Sequence, residues 1–518
     1  MSLLRSAATV GGYTSLSRIL GFVRDQLVAF TLGTGWVAEA FFVAQRFPNM
    51  FRALFAEGAF NSAFVPLFAR KAEGEGEDAA YGFALEVFAA LLAWMTVFTA
   101  GAMIAMPWVI YLIAPGFTGS PEKIELATQL TRICFPYLLF MSLTALQGGV
   151  LNSLNRFTAA AAAPILLNLV MIASNVVVWA LGTGNTPATG YIFAIGVSLS
   201  GVAQYALLAV ACRRAGMPLV PSFPRLTPDV KRVVRRSVPG IISGGIMQIN
   251  LLIATMIATR LDHAVAYLYY ADRLYQLPLG VIGVAIGVVL LPTLSRKLRA
   301  GDHYGAIDAK NRALEISMFL TLPAAAALFT ISGPILHTVF EHGAFHAGDT
   351  AAVTPAVMAF ATGLPAFALT KVFQPAFYAR EDTATPMRFA IYSVIVNIVA
   401  SLVLSQFFGH VGIAMGTSLA AWTNAIQLYL RLRNNGLFIF DDSARRRLPL
   451  MVLSATVMAE ILFGITLAMP HLFLSKTSVL MSILGLSFLV MTGIVTYFLA
   501  CHVNGALRFS ELRAAMRR

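Results

Sequence analysis

Residues 46–71 read RFPNMFRALFAEGAFNSAFVPLFARK, and they resemble residues 273–298, which read RLYQLPLGVIGVAIGVVLLPTLSRKL. Four residue pairs lie 226 to 229 positions apart along the chain: Arg46 with Arg273, Pro66 with Pro292, Pro136 with Pro365, and Asn168 with Asn397. Such nearly equal separations over a hundred residues predict that the chain contains a duplicated unit.

The composition is that of a membrane protein. Of 518 residues, 58% are hydrophobic and 12% are charged, whereas soluble domains carry about twice that charge. Apolar runs recur almost from end to end, so we expect an all-α polytopic membrane protein. We predict fourteen transmembrane helices: 8–32, 36–60, 80–114, 126–153, 158–181, 188–211, 238–260, 265–294, 313–340, 351–378, 385–408, 411–430, 448–470 and 477–503. The three cysteines show no CxxC spacing, which predicts neither a disulfide nor a metal site.

The predicted helices group as two repeats of six and a remainder of two. Because six is an even number, both copies enter the membrane from the same side, and the repeats are parallel. A central cavity is expected between them. The predicted domains are an N-lobe at 1–215, a C-lobe at 216–440, and a segment at 441–518 that holds the last two helices and a cytoplasmic tail.

The net charge of +13 is explained by membrane topology. With the N-terminus in the cytoplasm, and with Arg132, Arg260 and Arg388 near helix ends counted with the adjacent loops, 27 of the 37 basic residues lie inside, four lie outside, and six lie deeper within predicted helices. This asymmetry follows the positive-inside rule, and anionic lipids of the inner leaflet attract such residues. Both termini are therefore placed in the cytoplasm. Membrane lipids are expected partners, and the basic residues require no nucleic acid.

Six cations lie within the predicted helices and away from their ends: Arg18, Arg24, Arg46, Arg52, Arg273 and Lys371. A cation near the bilayer centre costs roughly 2.5–3.5 kcal/mol, so such residues are retained mainly where they line a water-filled cavity and meet an anion. Arginine binds phosphate or carboxylate through paired hydrogen bonds, which predicts that kind of ligand. The duplication sets Arg46 opposite Arg273 across the cavity. The simpler interpretation is that these charges pair internally or reach the membrane surface.

Polar residues lie close to these cations on the same helices. Asp25 follows Arg18 by seven residues and Glu39 precedes Arg46 by seven, so each acid shares a helix face with its arginine and is expected to orient it. The other polar neighbours are Ser17 beside Arg18, Asn49 three residues before Arg52, and Asp272 beside Arg273.

Four segments resemble the MurJ (MviN) family of lipid II flippases, in the multidrug/oligosaccharidyl-lipid/polysaccharide exporter superfamily. They are SRILGFVRD (17–25), AEAFFVAQRFPNMFRALFAEGAFNSAFVP (38–66), YYADRLYQLPLGVIGVAIGVVLLPTLS (269–295) and KVFQPAFYAREDTATP (371–386). The resemblance implies a flippase of the bacterial inner membrane. It would move lipid II, the undecaprenyl-pyrophosphate-linked peptidoglycan precursor, from the cytoplasmic to the periplasmic leaflet by alternating access.

The resemblance also implies a set of binding residues. The cavity arginines of the family correspond to Arg18, Arg24, Arg52 and Arg273, and Ser17, Asp25 and Lys371 are matched as well. The full predicted set adds Glu39, Arg46, Asn49 and Asp272, with Arg46 and Lys371 as auxiliary residues. Two positions differ from relatives. Position 39 is often Asp in the family and is Glu39 here, and Gln276 replaces an acid that some relatives have. The last two helices are implied to form a groove for the polyprenyl tail, and proteins of peptidoglycan synthesis are implied partners.

Several alternatives stay open at this point. One is an exporter of another polyprenyl-linked glycan or of drugs, although a cationic drug would require excess acids. Another is an intramembrane polyprenyl-phosphate transferase with Asp25, Glu57 or Asp272 as its base, and a third is a non-transporting scaffold. The sequence contains no HExxH, GxSxG, Walker A or CxxC motif. No cofactor is expected, while coupling to the membrane potential or to a monovalent cation stays open, with Asp382 as the nearby acid.

Overall fold

The computed structural model describes residues 3–53, 60–473 and 478–506. Within these ranges it is helical, with two short 3-10 helices at Pro115–Gly119 and Pro470–Phe473 and no β-strand, which confirms the predicted all-α class. The α-helices are α1 (Leu3–Leu32), α2 (Trp36–Arg52), α3 (Phe60–Gly74), α4 (Glu77–Ile113), α5 (Pro121–Cys134), α6 (Pro136–Ser153), α7 (Thr158–Leu181), α8 (Pro187–Arg214), α9 (Pro228–Ala258), α10 (Ala264–Arg299), α11 (His303–Thr330), α12 (Ser332–Phe340), α13 (Ala347–Tyr378), α14 (Ala384–Phe408), α15 (His410–Asn434), α16 (Asp442–Ala468) and α17 (Val479–Val503).

Nine spans in the described part of the chain are long and apolar enough to cross a membrane: α4, the pair α5 and α6, α7, α8, α11, α13, α14, α16 and α17. α1 falls outside this set because Arg18, Arg24 and Asp25 lower its hydropathy. The predicted number of fourteen transmembrane helices stays a prediction.

Two of the predicted helices are divided in the structure. The span predicted at 126–153 consists of α5 and α6, which meet at Pro136, the first residue of α6. Proline has no N–H group to continue the helical hydrogen bonds, so a break here is expected. The span predicted at 313–340 is divided at Ile331 into α11 and α12.

The chain forms two compact units. The first comprises Met1–Ala266 and Gly343–Phe345, and the second comprises Tyr267–His342 and His346–Arg518. In the first unit α8 packs against α6 and α7, and in the second α15 packs against α13 and α14, as expected for duplicated sequences. α9 packs against α3 and α4 of the first unit. The domain boundaries predicted from the sequence stay predictions.

Within the first unit, α9 is joined to α3 and α4 by an ion pair and by apolar packing. Lys71 at the end of α3 donates to Asp229 in the first turn of α9, with Nζ 2.9 Å from Oδ2. This hydrogen bond raises the pKa of Lys71. Beside the pair, Val230 and Val233 are buried in a core that includes Phe64 and Phe83. The ion pair therefore lies at the edge of a packed apolar contact.

In the second unit, α14 and α15 approach closely along a row of small residues. Ser401 of α14 faces Gly416 of α15, where an added Cβ would lie 2.8 Å from the Ser401 backbone nitrogen. Asn397, one turn before Ser401, accepts hydrogen bonds from Ser401 (3.2 Å) and from Thr417 of α15 (3.4 Å). Small residues let helix backbones approach in lipid, where no hydrophobic force drives helices together. A larger residue at position 416 would collide with Ser401, so the close contact requires Gly416.

Glu39 anchors the start of α2. Its side chain is 1% exposed, and it accepts a hydrogen bond from Lys123 Nζ of α5 and another, at 3.2 Å, from the backbone nitrogen of Val265 in α10. The Lys123 ammonium also lies 4.1 Å from the centre of the Phe117 ring. The sequence paired Glu39 with Arg46, but Arg46 lies about 10 Å farther along the helix axis. In the structure, the Glu39 carboxylate instead bonds Lys123 of α5.

We predict that breaking this anchor destabilises the protein. Glu39→Ala leaves the Lys123 charge without its carboxylate and should lower the free energy of unfolding by about 3–5 kcal/mol. The double variant Glu39→Ala/Lys123→Ala should lose less than Glu39→Ala alone, because the orphaned charge is gone. A thiol-reactive fluorophore measures unfolding here, since all three cysteines are free and buried. Losses that simply add would contradict the pairing.

A second prediction concerns the α14–α15 contact. Gly416→Ala should lower the free energy of unfolding by about 1–3 kcal/mol, because the new methyl group meets the backbone of Ser401. Gly464→Ala in α16 is the matched control, since its Cβ would meet nothing within 4 Å and alanine favours a helix. The same thiol assay applies. Equal unfolding temperatures for the two variants would disprove the close contact.

Candidate functional site

Arg24 is held in place by two helices. Its Nε and Nη2 donate to Oδ1 of Asp25 at 3.0 and 2.7 Å, and its Nη1 donates to Oδ1 of Asn168 in α7 at 3.0 Å. Asp25 is 4% exposed, and Arg24 is half-buried. The carboxylate offsets the arginine charge, while the amide fixes its direction. These bonds use three of the five N–H donors of the guanidinium.

The partner of Asp25 differs from the prediction. The spacing on α1 paired Asp25 with Arg18, one heptad earlier, whereas the structure pairs it with its neighbour Arg24. A guanidinium on a long side chain can fold back along the helix to the adjacent carboxylate, and this geometry satisfies two donors at once. Arg18 is exposed and has no hydrogen bond or ion pair within the described ranges.

Asn168 is the site residue that the sequence reasoning missed. Besides accepting from Arg24, its Nδ2 donates to the backbone oxygen of Ser17 at 2.8 Å and to Ser17 Oγ at 3.3 Å. It is 4% exposed. The signal was present in the sequence, because Asn168 and Asn175 stand seven residues apart in an otherwise apolar helix. Buried asparagines in such a helix require partners, and residues at this spacing share one face.

The bonds between α1 and α7 also set their relative direction. Arg24 pairs with Asn168, and Thr31 Oγ1 pairs with Asn175 Oδ1 at 3.0 Å, both over 144 residues of sequence. Because later residues of α1 meet later residues of α7, the two helices are parallel. The chain must therefore cross the membrane an even number of times between the start of α1 and the start of α7. The predicted topology also has an even number there.

The arginines of α2 have more local surroundings. Arg52 Nε donates to Asn49 Oδ1 at 3.3 Å, which places the two predicted site residues together one turn apart. Arg46 is half-buried and borders a small apolar cavity with Phe47 and with Leu251 of α9. The predicted position of Arg46 opposite Arg273 stays a prediction.

The second unit holds the remaining predicted residues. The Arg273 guanidinium carbon lies 4.7 Å from the centre of the Tyr269 ring, a cation–π contact one turn along α10. Gln276 donates to Asp272, so the residue that departs from the resemblance is bonded to the predicted acid. Lys371 on α13 is exposed, and within the described ranges it forms no hydrogen bond or ion pair.

The acid considered for cation coupling lies just before a helix and accepts a hydrogen bond from its first turn. Asp382 Oδ1 accepts a hydrogen bond from the backbone nitrogen of Thr385 at 3.0 Å, at the start of α14. This bond lowers the pKa of Asp382. Within the described ranges no three His, Cys, Asp or Glu residues are placed to hold a metal ion. Glu57, considered as a base, lies outside the described residues.

Three of the predicted arginines lie in the first unit. Arg24 is paired with Asp25, Arg18 has no ion-pair partner in the described part of the chain, and Arg52 donates to Asn49. Guanidinium groups bind phosphate and carboxylate by directed hydrogen bonds.

Comparison with known proteins identifies the family. The family described as "Lipid II flippase MurJ" matches residues 28–486. The chain is 43% identical to the "Probable lipid II flippase MurJ" of Rhizobium tropici, over 100% of this chain and 97% of that protein. It is 45% identical to the protein of the same name from Rhizobium meliloti (strain 1021), again over 100% and 97%.

Solved structures show the same fold. One titled "Lipid II flippase MurJ, inward closed conformation" is similar with a TM-score of 0.78 at 23% identity, covering 95% of this chain and 98% of that one. Inward-facing and outward-facing structures of a MATE family transporter of the MOP superfamily give TM-scores of 0.69 and 0.56, both at 15% identity. They cover 83% and 84% of this chain and 98% and 95% of theirs. By sequence and by fold, the chain belongs to the lipid II flippase MurJ family.

Proposed function

We propose that this chain is a transporter that moves lipid II from the cytoplasmic to the periplasmic leaflet of the bacterial inner membrane by alternating access. We further propose that Arg18, Arg24, Arg52 and Arg273 bind the pyrophosphate of lipid II, with the other predicted site residues in supporting roles. Family membership supports the substrate. The half-buried arginine network supports the way it is bound.

The main support for this proposal is the set of hydrogen bonds that Arg24 donates to Asp25 and Asn168. An arginine in an apolar helix bundle is costly, and here two further residues are committed to holding it in one direction. A structural ion pair needs only the carboxylate. The additional bond to Asn168 of a second helix limits the rotation of the guanidinium, which suits a ligand with fixed oxygen geometry such as a phosphate.

An apolar cavity in the second unit supports the proposed site of the polyprenyl tail. Its volume is about 340 Å³, and its walls come from α11, α12, α16 and α17. Phe319, Met458, Leu462 and Leu489 are among its lining residues. Such a surface suits a hydrocarbon chain. The last two helices, left over by the duplication, would thereby bind the tail while the arginines bind the headgroup.

Alternating access is supported by the likeness to transporter structures named as inward-facing and outward-facing. In this proposal no cofactor takes part, and the membrane potential or a monovalent cation supplies the energy. Both termini lie in the cytoplasm, and proteins of peptidoglycan synthesis are partners. Reconstituted protein tests the energy source, because an imposed potential and a sodium gradient can be applied separately.

We predict that the arginines are required for transport. Replacing Arg24 or Arg52 by alanine should weaken lipid II binding by about 10- to 100-fold, the worth of a hydrogen bond to a charged group. The variants should also fail to restore growth of a flippase-depleted strain. Arg260→Ala is the matched control, because Arg260 is exposed and its side chain has no hydrogen bond or ion pair in the described chain.

The same experiment separates the alternatives. Purified protein in liposomes with labelled lipid II should translocate it without covalent change, whereas a transferase would alter the molecule. An exporter of another glycan would leave lipid II in place. Full growth with Arg18, Arg24, Arg52 and Arg273 all replaced by alanine would disprove the arginine site and favour a scaffold.

We also predict that Asn168 positions Arg24. Asn168→Ala removes three hydrogen bonds between α1 and α7, and Asn175→Ala removes one, so they should lower the free energy of unfolding by about 2–3 and about 1 kcal/mol, respectively. Only Asn168→Ala releases the arginine, and it should weaken lipid II binding roughly tenfold. Equal binding by the two variants would show that Asn168 is merely structural.

A further inference from the structure

A second cavity, separate from the arginines discussed above, lies within the first unit. Its volume is about 490 Å³, within the range of about 300–1,000 Å³ that is usual for ligand sites. It is bordered by the beginning of α1, the turn between α6 and α7, and the last turns of α8. The proposed function assigns no role to it.

The rim of this cavity is basic. Arg156 and Arg214 both border it, and its lining residues in the described chain include no acid. Arg156 Nη1 donates to the backbone oxygen of Arg214 at 3.1 Å, which brings the two residues together. The backbone nitrogen of Arg156 in turn donates to the Leu151 oxygen at 2.8 Å. The position of Arg156 is therefore fixed at the end of α6.

Hydroxyl groups add to this rim. Tyr13 of α1 and Thr158 of α7 border the cavity, and within the described ranges neither hydroxyl has a hydrogen-bond partner. Two guanidinium groups beside two hydroxyl groups form a set of donors suited to the oxygen atoms of a phosphate.

Apart from Thr9 and Asn155, the other lining residues of the cavity are apolar. Leu151 of α6, Ala162 of α7, and Leu207 and Val210 of α8 form its walls. A free anion gains nothing from such a surface. A molecule with a charged head and a hydrocarbon tail can use both parts of the cavity at once.

The cavity lies at the level of the inner leaflet in the predicted topology. The end of α6, the beginning of α7 and the end of α8 all fall on the side that holds 27 of the 37 basic residues. Anionic phospholipids of that leaflet bind basic pockets between transmembrane helices.

We propose that this cavity binds one anionic phospholipid of the inner leaflet, with its phosphodiester at Arg156 and Arg214 and its acyl chains against α7 and α8. The ligand is a resident lipid and not the transported substrate. Its binding would hold together the ends of four helices of the first unit.

Native mass spectrometry of the purified full chain, titrated with phosphatidylglycerol, tests this proposal. Arg156→Ala/Arg214→Ala should lose one tightly bound phosphatidylglycerol, with roughly 30-fold weaker affinity. The matched control is Arg235→Ala/Arg236→Ala, which removes the same charge from exposed residues of the same predicted side. The control should bind as the natural protein does. Phosphatidylcholine should bind at least tenfold more weakly to the natural protein.

A third variant separates the cavity from the charges. Ala162→Trp keeps both arginines and fills the apolar wall, so it should also lose the bound lipid; it decides the matter if the arginine variant does not fold. Equal loss in the two arginine double variants would show a general basic surface and overturn the proposal. Displacement of the lipid by millimolar inorganic phosphate would show a free-anion site, which would also overturn it.

Discussion

The burial of the Arg24 guanidinium between α1 and α7 is the constraint on which the rest of the first unit depends. Asp25 compensates its charge and Asn168 sets its direction. These bonds, with the one from Thr31 to Asn175, require the two helices to run side by side in the same direction. The helices that intervene in the sequence must therefore return the chain to the side where α1 began. The same few hydrogen bonds therefore position the Arg24 charge and fix the relative direction of the two helices.

Elsewhere the helices are joined by contacts that do not rely on hydrophobic attraction. Lipid tails are as apolar as the helices, so association in a membrane comes from close packing and from hydrogen bonds. The row of serine and glycine residues between α14 and α15 supplies the first. The Glu39 anchor with Lys123 supplies the second. Each unit therefore combines these specific contacts with an apolar core.

The sequence predicted the helices well and the partners of charged residues less well. Long apolar runs fix where helices form, since each must be long enough to cross the bilayer, and the all-α class followed from them. Spacing along one helix identifies a shared face, but it cannot identify a partner from another helix. Glu39 was therefore assigned to Arg46, although its carboxylate bonds Lys123. Asn168 was seen as a marker of the duplication, although it bonds an arginine 144 residues away. Asn49 with Arg52, three residues apart on α2, was predictable because both members belong to one helix.

The two asparagines that the predicted duplication pairs have different neighbours. Asn168 holds Arg24 and Ser17, whereas Asn397 bonds Ser401 and Thr417. The residues of the second copy at the separation that corresponds to Arg24, residues 251–253, are Leu, Leu and Ile. In the predicted duplication, the cluster around Arg24 therefore belongs to one copy, while the other copy uses the same amide for helix packing. A symmetric arrangement of helices can in this way carry an asymmetric chemistry.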